Sequence, residues 1–183
     1  MMINRFRSCC SRLGSERKSS ILRQFAIAAT LGLTVALAAC NKAPAEPAPF
    51  TRIAPPGLAD SQKLWNYSQT IVINPGTKLV EVAGTTGDDK DGNIVNPTDF
   101  AAQVDRTFAN LETGLKAAGA SGKDVVRVRL YVVGLDGEKH WPALNAAMRR
   151  HFGDQGPTST MVGVQALAMP DILFEMDATA AIR

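Results

Sequence analysis

Val126, Val128, Leu130 and Val132 alternate with Arg127, Arg129 and Tyr131. A period of two marks a strand with one face in a core and the other turned out. Upstream, Phe100, Val104, Phe108, Leu111 and Leu115 recur at helical spacing, which predicts an amphipathic helix. Thr98, with Pro97 before it and Asp99 after it, is the expected N-cap, and Gly119 the expected C-terminal stop. A second helix carries Trp141, Leu144, Met148 and Phe152 on one stripe. Tyr67 to Ile73 and Lys78 to Ala83 are β-branched runs flanking Asn74-Pro75-Gly76-Thr77, a strong turn signal, and together they predict a hairpin. Met161 to Leu167 and Ile172 to Ala180 close the chain as two more strands. The order ββαβαββ is that of an α+β domain, a mixed sheet with two helices on one face. Arg127 and Arg129, on the face away from the core, face either solvent or another subunit.

Before this domain the pattern changes. Phe25 to Ala39 is an unbroken apolar run behind a basic, Ser-rich segment. It is shorter than the roughly 20 residues needed to cross a bilayer as a helix and has the form of a secretory signal. It ends in Leu37-Ala38-Ala39-Cys40, which resembles the lipobox of bacterial lipoproteins, where the cysteine is acylated and becomes the new N-terminus. Asn41 follows, rather than the aspartate associated with inner-membrane retention. The expectation is a lipid anchor on Cys40 in the bacterial envelope, facing the periplasm, with the outer membrane favoured. Asn41 to Pro56 contains five prolines and reads as an extended tether. The expected division is a signal peptide over 1–39, an acylated cysteine and tether over 40–56, and a folded domain over 57–183.

Charge and composition sharpen this division. The chain of 183 residues carries a formal net charge of +3, but residues 1–39 hold six Lys/Arg against one acid. Residues 40–183 therefore hold 14 basic and 16 acidic residues. A body this close to neutral has no electrostatic footprint for phosphate backbones, so no nucleic-acid partner is expected. With Cys9, Cys10 and Cys40 the only cysteines, the body has no disulfide, catalytic thiol or thiolate metal site. His140 and His151 lack the spacing of a helical metal pair. Aligned on the EF-hand pattern, Asp89 and Asp91 fit, but Gly87 and Thr98 occupy positions that need carboxylates. No metal and no cofactor is expected.

Several segments together resemble the Rid family, also called YjgF-type proteins. They are Trp65-Asn66-Tyr67-Ser68, Val82-Ala83-Gly84, Phe100-Ala101-Ala102-Gln103, Ala117 to Ser121, Gly156-Pro157, Val162-Gly163-Val164 and Phe174 to Ala178. The resemblance spans about residues 60–183. It implies a chorismate-mutase-like fold, a homotrimer with small-molecule clefts between subunits, and a founding activity of enamine and imine deamination. Tyr67, Gly84 and Glu175 match the family's site residues, Glu175 standing where active members position the attacking water. Ala83 replaces a hydrogen-bonding serine. Ser159, two residues after Pro157, stands where deaminating members carry the arginine that holds the substrate carboxylate. A serine cannot make that bidentate, charge-assisted pair.

The apolar neighbours of Glu175 predict burial, which raises a carboxyl pKa and suits acid/base work; a solvent-facing strand carboxylate is the alternative. Two functions stay open. One is a small-molecule-binding protein that does not deaminate 2-imino acids. The other is a deaminase-like hydrolase that acts on a different substrate through Glu175.

Overall fold

The computed structural model describes residues 45–183. The apolar leader and Cys40 lie outside the described residues. The elements are β1 (Phe50–Ile53), α1 (Ser61–Trp65), β2 (Thr70–Ile73), β3 (Lys78–Thr86), α2 (Phe100–Ala117), β4 (Val125–Val133), α3 (Gly137–Phe152), β5 (Thr158–Val164) and β6 (Phe174–Ile182). From β2 onward this is the predicted ββαβαββ order.

Four strands make the main sheet, in the order β3-β6-β4-β5. β6 runs antiparallel to both β3 and β4, while β4 and β5 are parallel. A parallel pair needs a long crossover, and α3 is that crossover. Val128, Leu130 and Val132 of β4 and Phe174, Met176 and Ala178 of β6 face the helices. Against them pack Val104, Phe108, Leu111 and Leu115 of α2, each 0–1% exposed. Fully burying a side chain of this size contributes about 1.5–3 kcal/mol, so this layer dominates the stability. Phe108 sits at its centre, with its ring 6.4 Å from Phe174 and 5.6 Å from Phe152.

Three expectations need correction. Asp99, not Thr98, caps α2, and its carboxylate accepts the Ala102 amide at 3.0 Å. β5 begins at Thr158, not Met161: parallel pairing with β4 carries the polar Thr-Ser-Thr run into the sheet. The expected hairpin does not form either. β2 pairs with β1, which lies in the stretch assigned to the tether, and β3 pairs with β6. The turn residues explain the exchange, because their hydrogen bonds go to the segment before β1. Asn74 donates its backbone amide to the Pro49 carbonyl and its side-chain amide to that of Ala48, while Thr77 Oγ1 donates to Pro49. Arg183 clamps the same segment, donating to the carbonyls of Pro47 and Ala48.

The C-terminal stop of α2 forms as expected. Gly119 adopts φ +77° and lets the Ala120 amide reach back to the Leu115 carbonyl at 2.9 Å, the left-handed ending that glycine favours. The second helix is capped by Asp136, whose carboxylate accepts the Glu138 and Lys139 amides.

Candidate functional site

Tyr67 is placed by a short, heavily fastened segment. Asn66 ends α1 in the left-handed region at φ +55° and is fully buried. Its side-chain amide donates to the Gly153 carbonyl at 3.0 Å. Ser68 donates its hydroxyl to Gly156 O at 2.7 Å and its backbone amide to Pro157 O at 2.9 Å. Gln62 Nε2 donates to Asp154 O at 2.8 Å. Together these bonds tie residues 62–68 to the loop 153–157. The approach is so close that a Cβ on Gly156 would collide with the Asn66 carbonyl oxygen.

That loop runs directly into β5, so Tyr67 and Ser159 line one cavity of about 370 Å³. Trp65, Trp141, Met148 and Met161 make most of its wall, and Leu130 and Gly137 complete it. The Trp65 and Tyr67 rings stack with centroids 6.2 Å apart. Ser159 stands in register with Val128, a fully buried core residue. In-register residues share a face, so Ser159 belongs to the helix-covered side of the sheet.

Glu175 stands on the other side. It pairs with Tyr131 of β4 and Thr86 of β3, while its neighbours Phe174 and Met176 are fully buried in the core. The apolar residues beside it in sequence thus point away from it, and the expected burial among them does not occur. Its carboxylate lies over Gly84, in the space a Cβ there would fill. The register of β3 is irregular between Val82 and Thr85, as in the bulges that re-aim strands beside functional sites. Ala83, within this irregularity, is exposed, and its carbonyl accepts from Thr85 Oγ1. Gly84 also borders a polar cleft of about 600 Å³ that contains Arg106, whose Nε donates to the Asp88 carbonyl.

The open face holds a polar network that sequence reasoning did not find. Arg129 Nε donates to Asp177 Oδ1 at 2.9 Å, and the Tyr131 hydroxyl donates to Asp177 Oδ2 at 3.3 Å. The hydrogen bond and charge of Asp177 hold the Arg129 guanidinium above its ordinary pKa. Thr179 Oγ1 donates to Glu81 Oε2 at 2.9 Å. Register would have revealed these pairs, but register is invisible before the strands are paired. Arg127 and Arg129 project away from the Ser159 side, so neither replaces the absent arginine within one chain. The Asp89 turn is closed by its own hydrogen bonds. Asp89 accepts the backbone amides of Asp91 and Asn93, and the Asn93 contacts lower its pKa.

The five site residues thus form two half-sites, Tyr67 with Ser159 and Gly84 with Glu175, the latter beside Ala83. Comparison with known proteins shows the family. Residues 60–182 match the family model described as Endoribonuclease L-PSP. The chain belongs to that family, the Rid proteins. A Rid family protein of Yersinia pestis superposes with a TM-score of 0.68 and 30% identity, covering 74% of this chain and 100% of that one. A RutC family protein of Pyrococcus abyssi is 32% identical over 62% of this chain and 84% of its own length. A 2-iminobutanoate/2-iminopropanoate deaminase of Dermatophagoides farinae is 26% identical over 58% of this chain and 78% of its own.

In this Rid fold two glycines sit under collisions of different kinds, and substituting them should give different results. Gly156→Ala meets a backbone oxygen that cannot swing aside, and such overpacking costs about 1–3 kcal/mol. Gly84→Ala meets the end of a flexible carboxylate, so its cost should stay below about 1 kcal/mol while the Glu175 carboxyl carbon resonance moves. Urea unfolding of the two variants checks the ranking. Equal costs, or an unmoved Glu175 resonance, would contradict this geometry.

Proposed function

We propose that this chain is an exported, lipid-anchored Rid protein with a small-molecule cleft completed between copies of the chain, and that it does not deaminate 2-imino acids. One observation carries the proposal: Tyr67 and Ser159 line one cavity on the helix-covered side of the sheet, and Glu175 lies on the other side. Strand alternation keeps them apart within a chain. A second copy laid against the open face brings one chain's Glu175 to the next chain's Tyr67 and Ser159. The open face is suited to this, since Leu79 and Val162 are 52% and 42% exposed there. Three copies close such an arrangement, in keeping with the homotrimer that the resemblance implies.

Ser159 argues against 2-imino acids as substrates. A substrate carboxylate leaving water needs a paired charge, and the cavity beside Ser159 has no cation among its lining residues. The retention of Glu175 over Gly84 favours a second reading, hydrolysis of an imine or enamine that carries no carboxylate. The family's endoribonuclease description is not extended to this chain. The body is near neutral, His140 accepts the Asp136 amide, and His151 bonds to Glu112. Neither histidine lines a half-site. Export and anchoring rest on Phe25 to Ala39 and on Leu37-Ala38-Ala39-Cys40. Several acyl chains together hold a protein on a membrane where one alone does so only marginally. The stretch from Cys40 to β1 then serves as the tether.

Two measurements check these points. Cys40→Ser should move the protein from the membrane pellet to the soluble fraction, and a variant that still sediments with membranes would overturn the anchor. Purified protein should hydrolyse 2-iminopropanoate at the background rate. Removing one partner of a buried charge pair costs about 3–5 kcal/mol, or roughly two to four powers of ten in rate. Ser159→Arg should recover part of that loss. Rapid turnover by the unaltered chain would refute the assignment.

A further inference from the structure

The chain contains two tryptophans, Trp65 and Trp141, and both line the cavity that holds Ser159. Tyr67, Met148 and Met161 join them, so the wall is aromatic and thioether, with no charged side chain in the lining. Trp65 is 42% exposed and adds nothing to the core. Yet the segment that carries it is fastened by buried Asn66 and Ser68 to the loop before β5. The fold therefore holds a large indole in place at the cavity without burying it. At about 370 Å³ the space falls at the small end of ligand sites, which are mostly apolar with a few oriented polar groups. The Ser159 hydroxyl is such a group.

Building on the proposal that Tyr67 and Ser159 form the binding half of the Rid cleft, we infer that this cavity takes an uncharged, flat aromatic or heteroaromatic ligand. Its ring packs against Trp65 and Trp141, and one polar substituent hydrogen-bonds to Ser159. Aromatic rings stack or meet edge to face at short centroid distances, and methionine sulfur adds a soft, polarisable contact with ring edges. The charge argument narrows the class. An anionic ring would lose its water with no cation to replace it. Arg129 does not help: within one chain it points to the other face, and in a neighbouring copy its guanidinium is already paired with Asp177. A cationic ring would gain from the indole faces, but no residue of this lining is a carboxylate, and the Glu175 that a second copy would bring is seated over its own Gly84.

The test uses benzamide, benzoate and benzyltrimethylammonium, three one-ring probes that differ mainly in charge. Each is titrated into the detergent-solubilised full chain while tryptophan fluorescence is followed. Because both tryptophans line the cavity, the signal reports on it directly. Benzamide should give a saturable change and bind at least about tenfold more tightly than either charged probe. Trp141→Leu should weaken benzamide binding by a similar factor, and Ser159→Arg should reverse the order in favour of benzoate. Preferential binding of benzoate or of the ammonium by the unaltered chain, or no saturable change with any probe, would overturn the inference. The mass of the same sample, read by light scattering, separates this inference from the proposal beneath it. A trimer that ignores benzamide overturns the ligand class and leaves the shared cleft standing. A monomer that binds benzamide supports the ligand class and removes the shared cleft.

Discussion

Side chains on a β-strand alternate between the two faces of its sheet, and here helices cover only one of those faces. The covered face is the core, where Phe108, Phe174 and Met176 leave no surface exposed. The uncovered face carries Glu81, Arg129, Tyr131, Glu175, Asp177 and Thr179, several of them bonded to one another. Glu175 is separated from the core by a single peptide step on either side. This alternation places Ser159 with the helices and Glu175 with the open face, so no side-chain rotation within one chain can bring them together. A cleft that uses both must be made by two chains.

The other half of the chemistry depends on a tight junction. Residues 62–68 have little helix of their own, since α1 is only five residues long. Their position comes from buried polar groups that find partners in the loop 153–157, with Gly156 allowing the backbones to touch. A buried polar group left without a partner costs about 1–3 kcal/mol, so Asn66 and Ser68 hold this segment against the loop. Its product is a neutral aromatic cavity at the place where the resemblance leads one to expect a cation. Substituting serine for arginine removes a charge, and the Trp-Tyr-Met wall sets what can replace it.

Periodicity made much of the fold legible. The α2 and α3 stripes and the alternation of β4 predict most of the core, with Phe100 and Trp141 at the ends of their stripes only half-buried, because amphipathic patterning reports which face meets the core. The pattern was silent on partners. β2 and β3 flank a strong turn yet pair elsewhere, because Asn74 and Thr77 bond to residues 48 and 49 instead of closing a hairpin. β1 lay hidden in a proline-rich stretch, and the start of β5 was hidden by the polar run Thr158-Ser159-Thr160. Within the candidate site, Tyr67, Gly84, Ser159 and Glu175 were named from the family resemblance. Their division between two faces was not visible, since it depends on register. Asn66 carries no periodic signal and Ser68 falls in the run read as a strand, and only burial and their hydrogen bonds show them to be the fasteners.

The division between faces can be tested with thiols, because residues 41–183 contain no cysteine. Chains carrying Ser159→Cys alone would be coexpressed with chains carrying Glu175→Cys alone and treated with a short bismaleimide. If the cleft is shared, cross-linked pairs of unlike chains form, and neither variant by itself gives them in comparable yield. The opposite result is equally clear. If a single chain carrying both substitutions cross-links internally while the mixture gives no pairs, Ser159 and Glu175 meet within one chain and the cleft does not need a second.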